Sequence, residues 1–89
     1  MDTWTDTEIA ILDTIVENAP RDRWLSLTDI RPRLARWTRA DQDRVLWKMN
    51  LLDNITLVPE SNQKTLRPAD WDAAVEIGGQ YKHCIWIGE

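Results

Sequence analysis

The run from Thr38 to Pro59 constrains the fold more than any other part of this chain. Thr38 can cap a helix, and Asp41, three residues on, can reach back in an acidic variant of the capping box that satisfies the first N–H groups. At about 100° per residue, Val45, Leu46, Met49 and Leu52 fall on one face and form the buried stripe of a helix that starts near Arg39. The opposite face holds Ala40, Asp43, Arg44, Trp47, Asn50 and Leu51, with Trp47 and Leu51 one turn apart. Asp53-Asn54 supplies residues that tolerate a left-handed cap. Ile55-Thr56-Leu57-Val58 then alternates and branches like a strand, and Pro59 ends it. A capped amphipathic helix thus runs almost directly into a short strand.

The 89 residues are read as one domain, 1–89, with room for a modest core and none for a catalytic cleft between subdomains. No apolar run approaches the roughly 20 residues that cross a bilayer. The start, Met1-Asp2-Thr3-Trp4, is not a basic-then-apolar leader, so a soluble, cytoplasmic protein with no membrane contact is expected. Cys84 is the sole cysteine and His83 the sole histidine, which excludes an internal disulfide and a four-ligand structural zinc site. Packing must supply the stability. Six tryptophans and no phenylalanine suggest that most of the tryptophans belong to the core.

The net charge of −4 is unevenly distributed: residues 1–20 carry five acids and no base, residues 21–49 eight bases against four acids, and residues 50–89 three bases against six acids. A basic centre is a candidate nucleic-acid footprint, although the acidic whole opposes approach to phosphate.

Elsewhere, Thr5 or Asp6 caps a first helix over about Thr7 to Asn18, with Ile9, Leu12, Ile15 and Val16 sharing a face and Ala19-Pro20 stopping it. Trp24 to Leu27 reads as a short extended segment. Thr28 then caps a second helix that accepts Pro32 near its start and buries Ile30, Leu34 and Trp37. After the third helix and its strand, Glu60 to Gln63 is a polar turn and Lys64 to Arg67 a returning strand. Pro68 to Val75 reads as a fourth helix closed by Gly78-Gly79. Cys84 to Ile87 is a last strand, expected to pair with Ile55 to Val58 and leaving Glu60 to Lys82 as a long insertion between paired strands.

The order helix, short strand, helix, helix, strand, wing, strand resembles the winged helix-turn-helix superfamily over nearly the whole chain, most specifically from Asp43 to Pro59. The resemblance implies an α+β winged helix: a three-helix core, a small antiparallel sheet and a short extra helix in an expanded wing. In DNA-binding members the third helix enters the major groove and the wing reaches the backbone. Carried onto this sequence, Arg39, Asp43, Arg44, Trp47 and Asn50 would face the groove, with Lys48 at its flank and Asn62, Lys64 and Arg67 in the wing. Trp47 and Leu51 depart from a groove-reading face in bulk and apolarity, and Asp43 would repel phosphate.

Arg31, Arg33, Arg36, Arg39 and Arg44 are the phosphate-contact candidates; the plainer reading is a solvated basic face paired with Asp22, Asp29, Asp41 and Asp43. For Trp47 and Leu51 a protein anchor competes with burial under the wing or the fourth helix. Asn62, Gln63 and Lys64 also read as an ordinary hydrophilic turn. His83-Cys84 has the residue types of a base and a nucleophile, but neighbours on a strand point to opposite faces. Asp70 and Asp72 are explained by helix N-terminal charge, and Gly78-Gly79 lacks the lysine and helix of a phosphate loop.

These readings give two expectations. The first is a small DNA-binding regulator or mobile-element accessory factor that engages duplex DNA as a dimer through Arg36, Arg39, Arg44 and Lys48, with Asp43 or Asn50 reading bases and Asn62 and Lys64 touching backbone. The second is a protein-interaction module that docks a partner, or a second copy, through Trp47 and Leu51. Neither uses a cofactor, a metal or a small-molecule substrate, and no catalytic set is present.

Overall fold

The structure, a computed structural model, describes residues 3–88. It is α+β: four helices with small antiparallel sheets. Helix α1 (Asp6–Glu17) begins at Thr5 with a reciprocal capping box. The Thr5 hydroxyl accepts the Glu8 N–H at 3.1 Å, and the Glu8 carboxylate accepts the Thr5 N–H at 2.9 Å. Strand β1 (Trp24–Ser26) leads into α2 (Leu27–Ile30), which continues as a 3-10 turn over Arg31–Leu34. The cap of α2 is Ser26, which accepts the Thr28 N–H; Thr28, expected in that role, instead donates its hydroxyl to Asp70 at 2.6 Å. Pro32 has no N–H to offer the Thr28 carbonyl, which is why the α turn gives way there.

Helix α3 (Arg39–Met49) starts at Thr38, whose hydroxyl accepts the Asp41 N–H at 3.1 Å. It buries Val45, Leu46 and Met49, with Leu52 half-buried just beyond. The chain turns into β2 (Ile55–Val58) through short-range bonds from Leu51, Leu52 and Ile55 to carbonyls three residues back. No left-handed residue is used at Asp53-Asn54; the one non-glycine at positive φ among the described residues is Arg23.

Between β2 and the last strand, the expected returning strand at Lys64 to Arg67 is absent. Gln63–Thr65 is a 3-10 turn, with the N–H and hydroxyl of Thr65 both donated to the Asn62 carbonyl. Helix α4 (Pro68–Ala73) follows, then a hairpin of β3 (Val75–Ile77) and β4 (Gln80–Lys82). Gly78 and Gly79, at φ 63° and 77°, make this hairpin's turn rather than closing α4, because a two-residue turn of this twist needs positive φ at both positions.

Strand β5 (Cys84–Ile87) runs between β1 and β2, antiparallel to both, giving the order β1-β5-β2. It pairs with β2 as the sequence suggests, Ile55 opposite Ile87 and Leu57 opposite Ile85. Alternation assigns Leu25, Ile85, Leu57, Ile55 and Ile87 to the inner face, against Ile11, Ile15, Ile30, Leu34 and the α3 stripe. Trp24, Trp86 and Thr56 form a row on the outer face.

The core is aliphatic. Trp4 and Trp37 are half-buried against it, and Trp24, Trp47, Trp71 and Trp86 are exposed, so the expectation of a tryptophan core is wrong. The inner face of α1 is also rotated from the expected one: Glu8, Ile11 and Ile15 are buried, while Ile9 and Val16 face out. No helix among the described residues is long and apolar enough to cross a membrane.

Candidate interaction surface

The outward side of α3 and the turn after it carry an open apolar pair. Trp47 is 50% exposed and Leu51 56% exposed, so neither the insertion nor α4 covers them. The insertion is held elsewhere, against α2 and the start of α3. Thr28 bonds to Asp70, Arg31 donates to the Ala73 carbonyl at 2.9 Å, and Arg39 donates to the Ala74 carbonyl at 2.8 Å.

The charged candidates around this pair have partners within the fold. Asp43 accepts from Arg31 at 2.7 Å and from Arg39 at 3.2 Å. Arg31 is deeply placed, with only 10% of its side chain exposed, and also donates to Gln42 Oε1 at 3.0 Å. Burial pulls its pKa down, and Asp43 opposes that shift. Arg44 pairs with Asp41 at 2.8 Å on the surface. Asn50 turns towards β2, where its Oδ1 accepts the Leu57 N–H at 3.3 Å.

Lys48 points to α1. Its ammonium lies within 3.0 Å of both oxygens of the Glu8 carboxylate and 5.3 Å from the centre of the Trp4 ring. Arg36 lies over Trp37 at 5.0 Å and is exposed, as are Asn62 and Lys64 in the polar turn after β2. The structure therefore brings Arg39 and Asp43 together with Arg31, sets Lys48 and Asn50 to structural bonds, and leaves Arg36, Arg44, Asn62 and Lys64 at the surface.

Two structural residues escaped the sequence reading although their positions carried a signal. Gln42 falls in the middle of the Val45-Leu46-Met49 stripe; it is buried, with Nε2 donating to the carbonyls of Leu34 and Trp37 at 2.9 and 3.0 Å. Its amide thereby fixes the turn between α2 and α3. Glu8 shares the inner face of α1 with Ile11 and Ile15, and Lys48 forty residues later supplies the compensating charge. His83, just before β5, and Cys84, its first residue, are not hydrogen-bonded to each other among the described residues. His83 is buried edge-on to Trp71, with ring centres 4.8 Å apart, and its Nδ1 accepts the Glu60 N–H. Among the described residues no group of three or more histidine, cysteine or acidic side chains is placed to hold a metal ion.

The Glu8 site gives a pH prediction. The Thr5 N–H first, then the Lys48 ammonium, hold its carboxyl at about 2, against an ordinary value of 4.5. A pKa lowered by folding contributes stability that is complete above the unfolded value and lost as pH falls towards the folded one. Thermal midpoints should therefore drop between about pH 4.5 and pH 2. Glu8→Gln should flatten that drop while lowering the midpoint at neutral pH. Asp70, drawn down to about 2 by the Thr28 hydroxyl and then the Arg67 N–H, acts in the same window, so Asp70→Asn is the companion variant. A Glu8→Gln profile parallel to wild type would show that the carboxylate carries none of the acid sensitivity.

No family model, curated protein or solved structure matches the chain.

Proposed function

We propose that the chain is a winged helix adapted to bind protein, docking a partner or a second copy through Trp47 on the outer face of α3 and Leu51 in the turn after it. The winged-helix reading is supported by the order α1, β1, α2, α3, β2, β5 and by the last strand's position between the first two. The interaction reading rests on one observation above all: Trp47 on α3 and Leu51 in the turn after it are large apolar side chains left open, while the equally exposed Arg39 and Arg44 are paired with acids. Tryptophan contributes much of the energy of many interfaces. Lys48 and Arg39, needed for phosphate, are bonded to Glu8 and to Asp43 with Ala74.

Binding to duplex DNA is the second reading, favoured by Arg44 and Arg36. Arg44's pair with Asp41 is exposed, and such pairs contribute only about 0–1 kcal/mol, so exchange of the carboxylate for a phosphate costs little.

One set of proteins distinguishes the two. Wild type, Trp47→Ala and Arg39→Ala/Arg44→Ala are tested for assembly by cross-linking in lysate of the source cell and by sedimentation, and for duplex binding by fluorescence anisotropy at two salt concentrations. The expected result is loss of assembly by at least about tenfold in Trp47→Ala, little change in the double variant, and no salt-dependent duplex binding. Duplex binding that weakens with salt and disappears in the double variant would replace the first reading with the second.

A further inference from the structure

We propose that the outer face of the three-stranded sheet is a docking groove for a basic side chain, arginine or lysine, carried on an extended segment of a partner protein. This surface is separate from the α3 face. It is built where β1, β5 and the end of β2 meet the first residues of the insertion, a cavity of about 460 Å³ lined by Trp24, Val58, Pro59, Glu60, Ser61 and Cys84. Its floor follows from the strand register. Cys84 stands opposite both Ser26 and Val58, and Trp24 occupies the neighbouring row of the same face, 48% exposed.

The walls are apolar and aromatic, and Glu60 is the one charged lining residue. Its Oε1 accepts from the Asn62 N–H at 3.2 Å and from the Ser61 hydroxyl at 3.4 Å, which orients the carboxylate at the rim, and among the described residues no donor reaches Oε2. A second depression of about 160 Å³ adjoins the first, sharing Glu60 and Cys84 and adding Asp70; no lysine or arginine lines either. The negative field reaches the floor: burial first, then the charges of Glu60 and Asp70, push the Cys84 thiol pKa up.

A long cationic side chain matches this combination in each part. Its methylene stem covers Val58, Pro59 and Cys84, its head reaches Glu60, and the Trp24 ring offers a face to the cation. An inorganic cation would lack ligands, since no cluster of three ligating side chains exists among the described residues. A phosphate-bearing partner would meet the Glu60 carboxylate with no lysine or arginine in the lining to offset it.

The test is an NMR titration of the 15N-labelled protein with the capped peptide Ac-Gly-Arg-Lys-Arg-Gly-NH2 and with its analogue bearing glutamate at the three charged positions. Shifts are expected at the Trp24 indole, Cys84 and Ser61 with the basic peptide only. Affinity should fall by about fivefold in Glu60→Gln and in Trp24→Ala. Asp13→Asn, which removes an equal charge from exposed α1, should leave it nearly unchanged and so controls for attraction to an acidic protein; the spectra report folding in each variant. The proposal is overturned if Glu60→Gln and Asp13→Asn weaken binding equally, if the shifts spread over α1, or if the glutamate peptide binds as well. Shifts at the same groove residues on simple dilution, without peptide, would also overturn it by making a second copy the occupant.

Discussion

Ile85→Ala is expected to lower the free energy of unfolding by about 2–5 kcal/mol, as removal of a fully enclosed isoleucine side chain does. Ile85 has no exposed surface and lies in the central strand, directly opposite Leu25 on one side and Leu57 on the other. Shortening it opens a gap that both edge strands border and that the helices beneath must close. A chain of 89 residues has a total stability of about 4–13 kcal/mol at the usual 0.05–0.15 kcal/mol per residue, so the loss is a large share of it. Thr56→Ala is the comparison: it sits on the neighbouring strand with its side chain on the outer face, and its cost should stay within about 0.5 kcal/mol. Urea denaturation of the two variants measures the difference. Similar midpoints for both would mean that the inner face of the sheet is not the packed side.

The contrast between those two positions also shows what could be read from the sequence. Period-two alternation in Ile55 to Val58 and the apolar, β-prone run from Cys84 to Ile87 made both strands legible, and the two pair as expected. The α3 stripe was legible for the same reason. The inner face of α1 was not. Hydrophobicity alone favours Ile9 and Val16, but the helix turns Glu8 inward because Lys48 on α3 neutralises it, and a compensation across forty residues leaves no local pattern.

The tryptophans misled through size. Their area suggests burial, yet isoleucine, leucine, valine and methionine fill the core, and four of the six indoles lie on the outer surfaces of α3, α4 and the sheet. In the insertion, Gly78-Gly79 fits a helix stop in the sequence but forms a hairpin turn; both uses need positive φ, so the residue type does not separate them. The Trp47-Leu51 pair was visible from its helical position, but its openness was not. That depended on where the insertion docks, which Thr28, Arg31 and Arg39 set through bonds to residues thirty-five to forty-two positions away.

Arg31→Met should therefore loosen the insertion more than the sheet, at an overall cost of about 2–3 kcal/mol for the charge-assisted bonds that are lost. Three contacts disappear: the Ala73 carbonyl, Gln42 Oε1 and Asp43 Oδ1. The cost should fall short of the roughly 3–5 kcal/mol typical of breaking a buried ion pair, for two reasons. Asp43 is 39% exposed and keeps Arg39, so no carboxylate is stranded. The guanidinium's own burial is unfavourable, as its lowered pKa indicates, and methionine avoids that penalty while keeping much of the apolar stem. Arg31→Lys should recover little, because one ammonium cannot reproduce a planar fork directed at three acceptors. Hydrogen exchange locates the effect: amides of α4 and of the β3–β4 hairpin should exchange faster, while those of the β1-β5-β2 sheet keep their order of protection. Uniform loss of protection throughout the chain would place Arg31 in the common core instead, and unchanged exchange would deny it any part in holding the insertion away from Trp47.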